Sequence, residues 1–480
     1  MNLIDAIRHH ARVRPYDVAV IHATGAVNYL QLAHIVTALS ARLRSEGLAP
    51  GMTTALFLRE PFMHLSLMLA AMATGVASTS APADLQPVPP GLKIDALLAD
   101  SALPFVPGAR VIEVSAGWIG DMASPQGTLL PAAQGFQNPQ AMQRYFTSSG
   151  TTGAPKIMGF TGSALESLAI HSLMLQPISQ GPAVSAMGLG TIGGYGIMQS
   201  ALWHGTTLVQ AMQSQTILRA LSLYGVRTLR LSPQQLQGLL DLVAGRPMHF
   251  ANLERIEIGG AAIPNTLLLT ARTVLCPNVM GVYGSTEAGL VAQAPGALLH
   301  AHPDAAGYVM PGVDVRIVDD AGVPLGFDAE GLVQIRTPHM VQGYLGDDDA
   351  TAAAFRDGWF VPGDLGLLRA DGLLLLRGRM DEIINLGGVK INPATVDDFL
   401  LRQPGVREAA TFARRQPGRP DEIWAAVVPG PAFDAAALLD AARARLQSRA
   451  PARIVQVAQI PRNAMGKALR QQLSSEAAAA

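Results

Sequence analysis

Apolar residues recur at helical spacing near the start of the chain, give way to two short alternating runs at residues 18–21 and 26–29, and then resume. This predicts a helix, a strand pair and a second helix ending near Gly47. The run TTALFLRE (residues 53–60) reads as a buried strand, followed by an apolar helix from His64. Strand and helix patterns then alternate through residues 187–189, 207–209, 228–231 and 255–258, which points to an α/β architecture. After Gly307 the texture changes to short runs at 313–320, 331–337 and 372–379, punctuated by Gly, Pro and Asp, as in a small β-rich subdomain. From Glu382 onward the pattern fits a small α+β domain. Its strands are expected at 389–391, 406–412, 423–428 and 454–457, its helices near 393–402 and 435–447, and its tail at 477–480 is expected to fray. Proline-rich passages at 82–90 and 104–107 read as surface connections, and 121–143 as a polar loop.

A chain of 480 residues exceeds what one hydrophobic core usually serves, so two or more domains are expected. Hydrophobic residues make up 49% and charged residues 15%, a balance that argues against disorder. With 35 Lys plus Arg against 36 Asp plus Glu, no global field favours nucleic acid or anionic lipid, although a local loop can still hold a small polyanion. Cys276 is the single cysteine, which excludes an internal disulfide and suggests a small buried hydrophobe. The N-terminal residues lack the uninterrupted apolar region of a secretion signal, and the apolar stretch 64–77 is too short to span a bilayer. A cytoplasmic protein without membrane insertion is the expectation.

The sharpest feature is YFTSSGTTGAPKIM, residues 145–158, where an apolar strand feeds into hydroxyls and glycines closed by a lysine. Gly150 and Gly153 let backbone N–H groups converge on an anion; Thr147, Ser148, Ser149, Thr151 and Thr152 add hydroxyl donors, and Lys156 a mobile positive charge. The P-loop pattern G-x-x-x-x-G-K-[S/T] is absent. A flexible surface turn is the plain alternative.

Further along lies GVYGSTEAG (residues 281–289), with Tyr283, Gly284, Thr286 and Glu287. By itself it reads as a tight turn capping a helix, with Ser285 or Thr286 satisfying free N–H groups. GGAAIP (259–264) follows an apolar strand and offers the small residues Gly260 and Ala261, either for close approach of a planar ring or merely as a strand-ending turn. Asp364 sits in DGWFVPGDLG, Arg379 and Asp381 in LRGRMDEIINLGGVKINP, and Lys467 in PRNAMGK. There are only four lysines in the chain, and three fall inside these motifs.

Taken in order, these motifs resemble the adenylate-forming superfamily of acyl- and aryl-CoA synthetases, firefly luciferase and nonribosomal-peptide adenylation domains, over essentially the whole chain. The resemblance implies a large multi-subdomain N-terminal domain (residues 1–380) holding the ATP and acyl pocket. A smaller, mobile α+β C-terminal domain (residues 381–480) would carry a catalytic lysine, Lys467. It further implies that residues 147–156 hold ATP phosphates, that Tyr283 flanks adenine beside Gly260, Ala261 and Gly284, and that Thr286 holds the α-phosphate region. Glu287 would bind Mg²⁺, Asp364 the ribose hydroxyls, and Arg379 the ribose and phosphates. Asp381 would be the hinge, with Gly387 and Gly388 approaching the site during thiol transfer.

The activity implied is attack of a carboxylate on Mg·ATP to form acyl-AMP and pyrophosphate, then acyl transfer to CoA. An aryl or apolar acyl acid is the expected small-molecule partner. Alternatives are a stand-alone adenylation enzyme loading a phosphopantetheinylated carrier protein, a luciferase-like oxidation, and a catalytically silent nucleotide-binding partner. The chain departs from the family pattern in lacking the usual Thr-His pair after the phosphate loop, in carrying Gly190 and Thr191 where a histidine or aromatic often stands, and in having Asn385 and Thr395 at frequent lysine and glutamate positions. Tyr195 and Met198 are acyl-pocket candidates or ordinary packing.

Overall fold

Side-chain caps decide where the opening helices begin. Asp5 N–H donates to Asn2 Oδ1 and Asn2 N–H to Asp5 Oδ2, so helix Leu3–Val13 starts on a reciprocal cap. Asn28 and Gln31 repeat the device for helix Tyr29–Ser45, and the expected strand pair, Val18–His22 with Gly25–Asn28, lies between the two helices. This computed structural model describes residues 1–80, 91–100, 108–119, 135–148, 156–175, 181–244, 246–386, 389–415, 421–462 and 467–479. The passages 82–90, 104–107 and most of 121–143 fall outside the described residues.

Two sheets carry most of the chain. In one, strands Arg110–Glu113, Ala96–Ala99, Thr53–Phe57, Ala77–Ser80 and Met142–Ser148 run parallel, and Lys156–Thr161 closes the edge antiparallel to Met142–Ser148. The other contains a parallel run through Val18–His22, Leu208–Val209, Ala183–Ser185, Thr228–Leu231, Arg255–Gly259 and Val279–Ser285. It then turns antiparallel through Gly289–Pro295, Ala305–Val309, Leu373–Arg379, Asp364–Leu368 and Gly331–Arg336. The strand expected at residues 187–189 is instead Ala183–Ser185, and 187–191 form the turn that enters helix Ile192–His204. Close packing explains the difference: a Cβ at Gly194 would lie 2.3 Å from the carbonyl oxygens of Met187 and Gly188, so this apolar stretch folds back onto the helix start.

A buried arginine ties the sheets together. Arg144 is 1% exposed; it donates to Ser78 Oγ (3.0 Å) and Ser80 Oγ on the neighbouring strand, and to Leu189 O (3.1 Å) across the boundary. A second tie is the hydrogen bond from Leu345 N–H to Ile157 O at 2.8 Å.

Beyond Leu376 a separate core begins. Two apolar clusters, one around Ile391, Val396, Ala425 and Val427 and one around Phe412, Val428, Ile460 and Leu473, draw on residues 384–477 alone. They sit on the sheet Val406–Arg414, Glu422–Pro429 and Arg453–Gln456, flanked by helices Pro393–Leu400 and Ala435–Leu446. Of the tail expected to fray, residues 477–479 fall in helix Arg470–Ala479, where Ala477 packs with Leu473 into that core, and Ala480 lies outside the described residues. Cys276 is buried, as its hydrophobic reading implies. Among the described residues no helix is long and apolar enough to cross a membrane.

His339, 1% exposed, packs behind the hairpin at Gly289; burial and the nearby His171 push its imidazole down to about 4, with the Ala288 backbone working in the opposite sense. The unfolded imidazole titrates near 6.5, so between the two values the unfolded chain binds more protons and stability falls as pH drops. Urea unfolding at pH 7 and pH 5 tests this: the wild type should lose about 2 kcal/mol more than His339→Gln over that interval. An equal loss in both proteins would remove His339 as a source of acid sensitivity.

Candidate active site

The described ends of the motif at residues 145–158 lie on paired strands, with Ser148 opposite Lys156 across Met142–Ser148 and Lys156–Thr161. Ser149, Gly150, Thr151, Thr152 and Gly153 lie outside the described residues. Thr147, one pair below, is partly buried opposite Ile157. Lys156 Nζ stands 4.5 Å from the centroid of the Tyr344 ring.

The motif at 281–289 corrects its sequence reading, for no helix follows. Strands Val279–Ser285 and Gly289–Pro295 pair antiparallel, and Thr286, Glu287 and Ala288 make the turn between them. Two glycines permit this. A Cβ at Gly284 would fall 2.2 Å from Gly289 O, and Gly289 itself has φ +73°. Ser285 Oγ accepts from Ala288 N–H (3.2 Å), which closes the turn and turns the Glu287 side chain inward, where it is buried.

Tyr344 joins these two motifs. Its hydroxyl donates to Glu287 Oε1 at 2.9 Å while its ring face meets Lys156. The sequence reading missed Tyr344. The available signal was an aromatic beside a glycine in MVQGYLGD: a Cβ at Gly343 would lie 2.5 Å from Thr351, and Tyr344 N–H donates to Thr351 Oγ1 at 2.9 Å, so the segment is clamped around the phenol. Burial pushes the Tyr344 hydroxyl upward, and the Glu287 carboxylate adds to this. It is therefore a hydrogen-bond donor throughout the neutral range.

A second constellation meets the same strand. Tyr283 donates its hydroxyl to Asp364 Oδ2 at 2.5 Å, and Arg379 reaches Asp364 Oδ1 at 3.4 Å and Asp381 Oδ1 at 3.0 Å. Asp364 and Arg379 are direct partners on adjacent strands. Asp364 is 9% exposed; burial raises its carboxyl pKa, and the Arg379 guanidinium and Tyr283 hydroxyl oppose that shift. Burial disfavours the Arg379 charge, but Asp364 and Asp381 outweigh it and raise its pKa. Arg379 also acts electrostatically on Tyr344, and Lys467 on Asp364, so both constellations and the lysine share one neighbourhood. Gly260, with φ +90°, and Ala261 follow strand Arg255–Gly259, directly beside the strand that carries Tyr283.

Lys467 is ion-paired with Glu382, while Gly387 and Gly388 fall outside the described residues. Tyr195 and Met198 are fully buried in the main core and line no open face. An open cavity of about 360 Å³ lined by Val313, Arg336, Trp359 and Leu368 lies at the opposite end of the strands that carry Asp364 and Arg379.

The donors fit a triphosphate with a hard cation. Lys156 supplies the positive charge, Glu287 one buried carboxylate, and Asp364 two oxygens suited to a vicinal diol. Among the described residues no cluster of three or more His, Cys, Asp or Glu side chains could hold a metal alone, so Mg²⁺ would take its remaining ligands from phosphate and water.

A family model described as AMP-binding enzyme matches residues 120–345. The 2-succinylbenzoate–CoA ligase of Bacillus velezensis is 30% identical over 333 residues, covering 68% of this chain and 67% of that protein. The indoleacetate–CoA ligase of Aromatoleum aromaticum is 29% identical across 97% of this chain and 96% of its own length. A fatty acid–[acyl-carrier-protein] ligase of Streptomyces coeruleorubidus is 27% identical across 98% and 95%. Among solved structures, o-succinylbenzoate coenzyme A synthetase from Bacillus subtilis, in complex with ATP and magnesium ion, superposes with a TM-score of 0.84. That match covers 98% of this chain and 99% of that one at 23% identity, a likeness of fold.

Tyr344→Phe deletes a neutral donor to a buried carboxylate. The expected outcome is about tenfold weaker binding of Mg·ATP by isothermal titration calorimetry, the scale of one hydrogen bond to a charged group. Unchanged affinity would mean that Glu287 keeps its place without the phenol.

Proposed function

The chain belongs to the AMP-binding enzyme family, and we propose that its site couples carboxylate activation to thiol acylation through two arrangements of the C-terminal residues. It is an ATP-dependent acid–thiol ligase: a carboxylate and ATP give acyl-AMP and pyrophosphate, and the acyl group, aryl or apolar, passes to CoA. The observation that carries the residue assignments is the shared neighbourhood of Lys156, Tyr344 and Glu287 with Tyr283, Asp364 and Arg379.

In the first step a substrate carboxylate oxygen bonds to the α-phosphorus while the bond from that phosphorus to the pyrophosphate oxygen breaks. The acid needs no general base, since a carboxylate is ionised at neutral pH. Residues 147–156, with Lys156 at their end, hold the β- and γ-phosphates, and Thr286 faces the α-phosphate. Glu287 would hold Mg²⁺, which would supply neutralisation of phosphate charge. Gly260, Ala261, Tyr283 and Gly284 border the adenine. Asp364 accepts the ribose hydroxyls, and Arg379 fixes Asp364 and contacts the nucleotide. Lys467 neutralises the oxygens that approach one another, so its charge is spent where the transition state develops.

In the second step the thiol sulfur attacks the acyl carbonyl, its proton is lost to solvent, and the bond to AMP breaks. Residues 381–480 form the mobile domain, with Asp381 as its hinge; turning about it removes Lys467 and brings Gly387 and Gly388 to the acyl group. The separate core of residues 384–477 supports this division. The acceptor is CoA, with a carrier-protein thiol as second reading because some relatives of nearly full coverage are named acyl-carrier-protein ligases. The protein acts in the cytoplasm.

ATP–pyrophosphate exchange over a panel of aryl, fatty and amino acids should give signal with aryl or fatty members, and comparison of CoA with a loaded carrier protein then identifies the acceptor. Lys467→Ala should lower exchange about a hundredfold or more while sparing thioester formation from supplied acyl-AMP. Equal loss in both half-reactions would overturn the division of labour, and absence of exchange with every acid would overturn the reading itself.

A further inference from the structure

Lys467 has a long flexible stem, and charge stabilisation by such a group depends on what holds it. In this structure the holder is Glu382, the residue that follows the hinge Asp381. One carboxylate oxygen of Glu382 pairs with Lys467 Nζ, and the other lies 3.5 Å from Arg470 Nε. Arg470 is itself fixed. Its guanidinium pairs with Asp397 Oδ2 at 2.7 Å and donates to Thr411 O at 2.5 Å, and Thr411 N–H returns a hydrogen bond to Asp397 Oδ1. Glu382 is thus clamped between a cation anchored to the small sheet and the ammonium of Lys467. Its own N–H donates to Arg379 O at 3.1 Å, which ties the same residue to the strand bearing the Asp364 partner. Close packing supports the junction: Gly378, at φ +126°, would place a Cβ 2.9 Å from the Asn392 side chain, which caps helix Pro393–Leu400.

We propose that Glu382 is a positioning residue for the adenylation step, holding the Lys467 ammonium at a fixed place relative to the nucleotide site. This rests on the functional reading above. An ammonium carries three donors, so Lys467 can keep Glu382 and still meet substrate carboxylate and α-phosphate oxygens. Arg470 shares the Glu382 charge, so the carboxylate stays compensated while the other Lys467 donors meet the substrates. Pre-positioning removes the ordering cost that a free lysine would meet in the transition state. When the C-terminal residues rotate for thiol transfer, Lys467 leaves the site and Glu382 has no further task, so its effect is confined to the first half-reaction.

The test uses the full-length enzyme with an acid found active in exchange. Glu382→Gln keeps shape and loses charge. It should lower kcat for ATP–pyrophosphate exchange about tenfold, with KM for ATP and thioester formation from supplied acyl-AMP each within about twofold of wild type. Glu382→Asp, which keeps the carboxylate, should recover part of the lost kcat at an unchanged melting temperature. Wild-type exchange in Glu382→Gln, alongside a Lys467→Ala variant that has lost it, would overturn the positioning role and leave the ligase reading standing. Equal loss in both half-reactions would make Glu382 a folding element and overturn the proposal as well. Failure of the wild type to exchange with any acid would remove the reading and this inference together.

Discussion

The buried carboxylate of Asp364 is the constraint around which the proposed nucleotide site is organised. Desolvation disfavours its charge, and the residues that make the charge tolerable are fixed by strand pairing: Arg379 is its cross-strand partner, and the Tyr283 phenol comes from the strand that leads into the Glu287 turn. Taking away either partner would leave a polar group buried without compensation, which costs more than the bond itself contributes. Arg379 passes the constraint on to Asp381, so the partner of Asp364 also touches the residue just before the separate C-terminal core.

The parts of the fold legible in the sequence were those governed by local rules. Apolar residues at helical spacing announce the two opening helices, the apolar runs announce strands, and the order of the motifs anticipates the family. What was not legible depended on contacts distant in sequence. Met187 and Leu189 are apolar enough for a strand, but the close approach of Gly194 turns them into a loop. The stretch GVYGSTEAG has the hydroxyls of a helix cap, yet the tightness of Gly284 against Gly289 makes it a hairpin. Tyr344 and Glu382 carry no signature of their own; each matters because of a partner 57 or 85 residues away, Glu287 for the first and Lys467 for the second.

The neighbourhood of Leu189 shows a similar division: Tyr195 and Met198 belong to the core, while Gly190 and Thr191 lie in the turn that precedes their helix. The buried Arg144 sits just beneath, fastening the strand that leads to the phosphate motif onto the loop at Leu189. Substitutions are therefore more tolerable in the turn at 187–191 than in helix Ile192–His204, where volume changes are felt throughout a close-packed interior.

The small bond between Leu345 and Ile157 has a mechanical meaning. It stitches the segment bearing Tyr344 to the strand bearing Lys156, so two side chains far apart in sequence are held face to face. In the proposed two-step cycle, a part stiffened in this way would leave the motion to the C-terminal residues. One pivot would then serve both chemistries without deforming the strands behind it.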